Sequence, residues 1–466
     1  MTTAALIFSG ILLGYFLLLN GIYLGTTVFA FFALRRYAAR IKSLDIEELL
    51  TFGDAPPITL ITPAYNEAST CVEATRALLA MRYPAFDVVI VNDGSQDDTL
   101  ERLRGAFALE PATRLPMASL PTAPVRGMYH SRAHRNLWLI DKANGGKADA
   151  LNCGLNYCRA PMFCALDADT LLEPDALIRV IRPFLENRTT IAAGGIIRIV
   201  NGSRVRNGRV EEVRLPHTLL GQVQVLEYLR AFLSGRLVWA QFDAMLIISG
   251  AFGLFRRSMV IDAGGFSTTT VGEDMELVVR LHRYARERRM PYRIRFVPDP
   301  VAWTECPETL RVLGRQRDRW QRGLAQSLLR HQRMLFNPRY GRVGMVAFPF
   351  FYFLEMIGPL VEAIGYIAFF GLLAAGLISV PFTIAFFCVA FLLGVSTSIA
   401  AVSLEELTFR RYRRTGDLAR LFLLAVLENF GYRQLLTYWR VRGMLTLRRQ
   451  RWGAMARTGF EPAGVP

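Results

Sequence analysis

Asp167-Ala168-Asp169 directly follows the apolar run Phe163-Cys164-Ala165-Leu166. Two carboxylates one residue apart on a turn can share a divalent cation with a diphosphate. Mg²⁺ and Mn²⁺ take hard oxygen ligands and fill their remaining positions from phosphate and water. Short acidic turns are common, so this pair alone decides nothing. Asp93 ends a second apolar run, Val88-Val89-Ile90-Val91, within Asn92-Asp93-Gly94-Ser95. Its carboxylate could accept from a base N–H, and an Asx turn or helix cap satisfies the same residues locally. In Asn144-Gly145-Gly146-Lys147 the glycines let backbone approach a phosphate and the lysine adds charge, although the spacing is not that of a Walker loop. Gly272-Glu273-Asp274 precedes a helical stretch over 275–286. A carboxylate there either satisfies the helix dipole or takes the proton of an attacking hydroxyl as a general base. Gln316-Arg317-Asp318-Arg319-Trp320 puts guanidinium groups, suited to diphosphate, beside an indole face on which a sugar can lie.

The elements that must position these groups follow from periodicity. Residues 58–62, 88–91 and 163–166 read as buried strands, and 67–81 reads as a helix between the first two. Another helix starts near Asp97, a fourth strand spans 191–200, and 222–233 reads as an amphipathic helix. Apolar strands alternating with helices imply a mostly parallel sheet covered on both faces. Ligands of such sheets bind beyond the carboxyl ends of the strands, and two of these strands end on acidic residues. The connection over 102–136 shows no clear pattern. No internal repeat is evident.

The chain has 466 residues, 52% of them hydrophobic, and a formal net charge of +16. Mean hydropathy is +0.25. No zinc spacing, RNA-binding aromatic signature or homeodomain-like helix accompanies the charge, which argues against a nucleic-acid partner. The arginines flank apolar segments instead, as they do beside an anionic membrane face. Residues 4–34 are almost wholly apolar and carry no charge, long enough for one tilted span. Arg35, Arg36, Arg40 and Lys42 follow, which puts the N-terminus outside and the next domain in the cytoplasm. A second apolar block, 343–404, is divided by Pro381 into helices over 345–377 and 382–404, and Arg410, Arg411, Arg413 and Arg414 return the chain to the cytoplasm. Residues 418–430 are short and interrupted by Glu428. Arg433, Arg440, Arg442, Arg448, Arg449 and Arg451 come after them, so an interfacial or re-entrant helix fits better than a span. Glu355 and Glu362 either line a sugar path or lie solvated near the interface. Six scattered cysteines without framework spacing fit reduced, buried thiols.

Taken together and in order, Pro63-Ala-Tyr-Asn-Glu67, Asn92-Asp93-Gly94-Ser95, Gly145-Gly-Lys147-Ala-Asp149, Asp167-Ala-Asp169, Ser249-Gly-Ala-Phe252, Gly272-Glu-Asp274 and Gln316-Arg-Asp-Arg-Trp320 resemble the membrane-integrated processive family 2 glycosyltransferases. That group includes cellulose, chitin, hyaluronan and poly-N-acetylglucosamine synthases. The resemblance implies an α/β GT-A-type domain over 56–339, inserted between a transmembrane helix at 1–40 and two more at 343–404. An interfacial or re-entrant helix and a basic tail would follow over 417–466. It implies a multi-pass protein of the cell membrane with its catalytic domain in the cytoplasm. It also implies Mg²⁺ or Mn²⁺ and inverting transfer from UDP-glucose or UDP-N-acetylglucosamine to a growing β-linked polysaccharide. The alternative is one sugar placed on a membrane lipid.

Position by position, Tyr65 and Glu67 would lie by the uridine, and Asp93 would hold the uracil. Lys147 and Asp167 would contact the donor, and Asp169 would bind the metal. Asp274 would be the base, with Glu273 beside it. Gln316, Arg319 and Trp320 would hold the diphosphate and the acceptor end, and Ser249, Gly250, Ala251 and Phe252 would approach the acceptor sugar. Asn92 and Gly272 depart from the Asp and Thr frequent at these positions. The few apolar helices leave room for additional export or accessory subunits, and no cyclic-dinucleotide-binding domain follows them. A transporter or a non-catalytic binding component fits poorly with the few apolar helices and the retained carboxylates.

Overall fold

The computed structural model describes residues 3–41, 55–206, 208–377, 380–412 and 414–447. Lys42, Arg413, Arg448, Arg449, Arg451 and the rest of the basic tail lie outside the described residues. In chain order the strands are β1 (Ile58–Ala64), β2 (Phe86–Asp93), β3 (Leu109–Pro111), β4 (Val125–Ser131), β5 (Leu137–Lys142), β6 (Met162–Leu166), β7 (Leu171–Leu172), β8 (Thr190–Ile199), β9 (Arg204–Arg206), β10 (Arg209–Glu212), β11 (Phe252–Arg256) and β12 (Arg293–Thr304). β9 and β10 pair with each other, and the others form one sheet in the order β3-β4-β5-β2-β1-β6-β11-β8-β12-β7.

The four central strands β5, β2, β1 and β6 run parallel, with Ile58 opposite both Phe86 and Met162. Their side chains are buried on both faces, which is why they read as unbroken apolar runs rather than alternations. Parallel pairing has one consequence for function: the carboxyl ends of β1, β2 and β6 reach the same edge of the sheet. β11 enters antiparallel between β6 and β8, and β8 pairs parallel with β12.

The connection over 102–136, read as unpatterned, contains β3 and β4, which extend the sheet beyond β5, β4 antiparallel to β5 and β3 antiparallel to β4. β4 is half-exposed along most of its length, so its sequence lacks the apolar signature of a central strand. The helix expected over 222–233 begins as Leu219–Leu229 and continues as a π-helical turn, Arg230–Arg236. It is buried nearly all round rather than amphipathic.

Two helical stretches, Gly10–Ala39 and Val343–Ala374, are long and apolar enough to cross a membrane. The second contains π turns at Val343–Ala347 and Phe350–Met356. Helix resumes at Val380, passes through a π turn at Cys388–Leu392 and ends at Thr408. Thr415–Leu427 has 13 residues, a length of ~20 Å against the ~30 Å of a bilayer core. Gly431, at φ 87°, turns the chain into Tyr432–Leu445, which packs along the Leu310–Arg330 helix.

The sheet shares one hydrophobic core with the first helix and with the helices Leu393–Thr408 and Thr415–Leu427, whereas Val343, Phe348 and Met356 pack in a separate cluster. The shared core runs from Ile58, Val89 and Phe163 into Ala33 and Leu34 at one end of the chain and Val402 and Leu421 at the other. Polar ties cross the same junction. Arg198 of β8 grips Glu405 with two hydrogen bonds of 2.8 and 2.6 Å, both side chains almost fully buried. Arg230 pairs with Glu428, which also accepts from Ser398 Oγ at 2.6 Å. All six cysteines are free, and five are buried.

Candidate active site

A cavity of about 1460 Å³ opens beyond the carboxyl ends of β1, β2 and β6. Tyr65, Glu67, Asp93, Lys147, Asp167, Asp169, Ser249, Gly250, Ala251, Glu273, Asp274, Gln316, Arg319 and Trp320 all line it. Phe252 does not. It is fully buried as the first residue of β11, opposite Leu166, so its ring fills the sheet core and makes no approach to an acceptor.

Each wall has a local cause. Tyr65 follows β1 and stands 46% exposed. Asn66 adopts φ 56° and ties the β1 and β2 loops, accepting from the Gln96 N–H while its own N–H donates to Ser95 Oγ. Glu67 is buried and accepts from Thr70 Oγ1 at 2.8 Å.

Asp93 ends β2 with its carboxylate turned inward. It accepts from the backbone N–H of Gly145 at 3.0 Å and of Gly146 at 2.7 Å, and from Lys142 Nζ at 2.6 Å. Its oxygens thereby fix the glycine turn at the cavity edge. Lys142 was not singled out from the sequence. It is fully buried at the end of β5 and bridges Asp93 to Asp149, 2.5 Å away. Burial pushes the Lys142 pKa down, but the Asp149 and Asp93 hydrogen bonds outweigh it and the net shift is upward. The triad holds the loop that aims Lys147 from the first turn of the Lys147–Tyr157 helix.

Lys147 Nζ lies 2.5 Å from Asp167 Oδ1 and 3.1 Å from Glu273 Oε1. Burial disfavours its charge, but Asp167, Glu273 and Asp274 together raise its pKa, so it is a cation here. Burial raises the Glu273 pKa, with Lys147 opposing and Asp274 adding to the shift. Asp274 accepts from the Gly250 N–H at 3.0 Å through Oδ2 and from the Met275 N–H through Oδ1. A Cβ on Gly250 would sit 2.8 Å from Lys147 Nζ and 3.4 Å from Asp274 Oδ2, so a larger residue there would press on the Lys147 ammonium.

The fourth wall is the Leu310–Arg330 helix. Arg317 Nη1 donates to Gln316 Oε1, its Nη2 donates to Glu227 at 2.7 Å, and its guanidinium lies 4.1 Å from the Trp320 ring centroid. Arg317 thereby positions the two cavity residues that flank it. Burial lowers the Arg319 pKa, opposed by Glu273, Asp167 and Asp274.

Gly323 of this helix meets Gly272 at the start of the Glu273–Glu287 helix. A Cβ on Gly272 would lie 2.7 Å from the Gly323 Cα. Glycine at 272, a departure from the family pattern, is thus what lets the Asp274 and Arg319 helices approach so closely. Gly272→Val should cost about 1–3 kcal/mol through overpacking and lower turnover by separating those helices. Thermal unfolding and initial rates check this, and a variant unchanged in both would contradict it.

Among the described residues no group of three or more His, Cys, Asp or Glu gathers to hold a metal. The two carboxylates at the end of β6 fit an ion such as Mg²⁺ or Mn²⁺, which takes its other ligands from water and phosphate. They do not make a self-sufficient protein cage.

The cavity extends well past these groups. Asn20, Tyr23 and Phe16 of the first helix, Phe369, Phe386 and Phe391 continue its lining. Glu355 and Glu362 belong to it as well. Arg440 Nη2 donates to Glu355 at 3.0 Å, Tyr23 Oη donates to the same carboxylate at 2.5 Å, and Thr437 Oγ1 donates to Glu362 at 2.8 Å. Both carboxylates therefore face the cavity with partners.

Residues 56–323 match the model described as "Glycosyltransferase like family 2". The chain is 30% identical over 310 residues to the poly-beta-1,6-N-acetyl-D-glucosamine synthase of Staphylococcus aureus, covering 66% of this chain and 62% of the relative. It is 30% identical over 276 residues to the Staphylococcus epidermidis protein of the same name, covering 59% and 56%. The chain thus matches less than two thirds of the length of these relatives. Among solved structures, the mannosyltransferase PcManGT from Pyrobaculum calidifontis, in complex with GDP-Man and Mn²⁺, superposes with a TM-score of 0.51 at 19% identity, covering 89% of this chain and 99% of that one. That likeness shows the fold. With the family match over more than half the chain, the parallel-centred sheet and the acidic cavity at its carboxyl edge, this chain belongs to glycosyltransferase family 2 and is a glycosyltransferase of GT-A-like fold.

Proposed function

We propose that this chain is a membrane-held, inverting glycosyltransferase. It transfers N-acetylglucosamine or glucose from a UDP-sugar to a growing β-linked polysaccharide, with its catalytic domain on the cytoplasmic side. The observation that carries this reading is a single cavity. It joins Asp274, Lys147 and Asp167 at one end to the first helix and the Val343–Ala374 stretch at the other. The name of the staphylococcal relatives supports N-acetylglucosamine as the sugar.

In this mechanism Tyr65, Glu67 and Asp93 border the nucleoside, with Asp93 acting through the glycine turn that it holds. The acceptor hydroxyl lies against Asp274 and is flanked by Ser249, Gly250, Ala251, Gln316 and Trp320. Asp274 takes the hydroxyl proton as the oxygen attacks the anomeric carbon. One C–O bond forms as the bond to the diphosphate breaks, and the configuration inverts. Lys147 and Arg319 hold the departing diphosphate, aimed in advance at charge that develops during the step. Asp167 and Asp169 would hold Mg²⁺ or Mn²⁺, which when bound supplies further positive charge to the leaving phosphates. Glu273 keeps Lys147 oriented.

EDTA should abolish UDP release by the purified protein, and added Mg²⁺ or Mn²⁺ should restore it. Full turnover in chelator would contradict the role of Asp167 and Asp169.

A second reading, one sugar placed on a membrane lipid, draws on the rings of Phe369, Phe386 and Phe391 that line the far end of the cavity. Sizing the product separates the two.

A further inference from the structure

The Leu219–Leu229 helix has 11 residues, and Glu227 is the single charged residue among them. A carboxylate in so apolar a setting needs partners in place of water. Both of its partners come from other helices. Arg317 Nη2 and Tyr432 Oη each donate to Glu227 Oε2, both at 2.7 Å. The ion pair is well shielded, with the Arg317 side chain 4% exposed and that of Glu227 21% exposed. Glu227 lies in the lining of the catalytic cavity, beside Gln316, Arg317 and Trp320.

The rest of the Arg317 guanidinium is spent on those two neighbours. Nη1 donates to Gln316 Oε1 at 3.1 Å, and the group lies 4.1 Å from the Trp320 ring centroid. Guanidinium is planar and holds its donors in a rigid fork. Fixing Nη2 on Glu227 therefore also fixes where Nη1 points and where the plane meets the indole. Trp320 is 45% exposed, so its ring has an open side and gains order from the cation stacked against it.

The helix that carries these groups does not depend on Glu227 for its place. Asp318, next along from Arg317, is held by Arg442 Nε at 3.2 Å, and Arg440 Nε donates to Gln321 Oε1 at 2.9 Å. Losing the Glu227 carboxylate thus frees side chains of the wall while the wall itself keeps other anchors.

We propose that Glu227 is a positioning residue for the acceptor: acting through Arg317, it presets Gln316 and the Trp320 ring against which the terminal sugar lies. This rests on the reading of Trp320 as an acceptor residue of a glycosyl transfer.

The test uses the full chain in detergent, with UDP-N-acetylglucosamine as donor and a β-1,6-linked N-acetylglucosamine tetrasaccharide as acceptor. Glu227→Gln keeps the shape of the side chain and removes its charge. It should raise the acceptor KM by roughly tenfold, the scale of a weakened hydrogen bond to a charged group. The kcat should stay within about threefold of wild type and UDP affinity within about twofold, because neither reports the acceptor wall. Arg317→Gln should raise the acceptor KM in the same way, and Glu227→Gln added to it should cost nothing further, since one residue acts through the other. An unchanged acceptor KM in Glu227→Gln would overturn the proposal, and so would additive effects in the double variant. A parallel loss of kcat, acceptor KM and UDP affinity would mark a purely structural role and overturn it as well. Trp320→Ala separates this from the reading beneath it. If Trp320→Ala raises the acceptor KM and Glu227→Gln does not, only the positioning role fails. If Trp320→Ala leaves the acceptor KM unchanged, or the wild type does not extend the tetrasaccharide, the functional reading itself fails.

Discussion

Asp274→Asn is expected to lower turnover by roughly 10²–10⁴-fold, the range that a positioned general base contributes. The substitution is a clean probe because of what Asp274 touches. Its two oxygens accept from the Gly250 and Met275 N–H groups. An Asn side chain has the same shape and keeps one of those bonds, so the Ser249-Gly250-Ala251 loop and the Glu273–Glu287 helix stay in place. What disappears is the capacity to take a proton. Initial rates of UDP release, beside thermal unfolding of the same sample, give the comparison. Turnover near wild type in a folded Asp274→Asn protein would end the assignment of Asp274 as base.

Glu405→Ala should destabilise the protein by about 3–5 kcal/mol, the usual cost of leaving one charge of a buried pair alone. Arg198 is 2% exposed and donates to both Glu405 oxygens. It lies on β8 in the catalytic sheet, whereas Glu405 lies near the end of the Leu393–Thr408 helix. The pair therefore locks the sheet to the helices that flank it, and its loss should loosen the cavity they share. Replacing both partners with apolar residues, as in R198M/E405L, removes the orphaned charge and should recover much of the loss. The midpoint of thermal unfolding in detergent reads both effects. An unchanged midpoint in Glu405→Ala would show that the junction does not depend on the pair.

The parts of this fold that the sequence made legible are those where local pattern and burial agree. β1, β2, β6 and β8 are buried on both faces, so each appears as an apolar run, and the acidic residues that end β2 and β6 mark the ligand edge directly. β4 escaped because an outer antiparallel strand with half-exposed side chains carries no such run. With β4 and β5 went Lys142, since a lysine outside any recognised strand reads as solvated. The apolar run Leu137-Trp138-Leu139-Ile140 before it was the available signal.

Asp93 was visible as a strand-end carboxylate, but its partners at 142, 145 and 146 lie about fifty residues away in sequence, and no local rule supplies them. Gly272 read as a departure from a pattern. Its reason is Gly323 on another helix, a contact that spacing does not encode. Phe252 was drawn into the site by its neighbours in a motif, while strand alternation sends its side chain into the sheet core.

The measurement closest to the central claim is the size and anomeric configuration of the product. The purified full-length chain would be incubated with radiolabelled UDP-N-acetylglucosamine or UDP-glucose and Mg²⁺ or Mn²⁺. The product would be sized on a gel, and its linkage read by NMR. The account predicts a high-mass, β-linked polymer from one of these donors, with UDP released in step. A product of retained α configuration would contradict the single displacement at Asp274, and a lipid-sized product carrying one sugar would contradict the polymer reading.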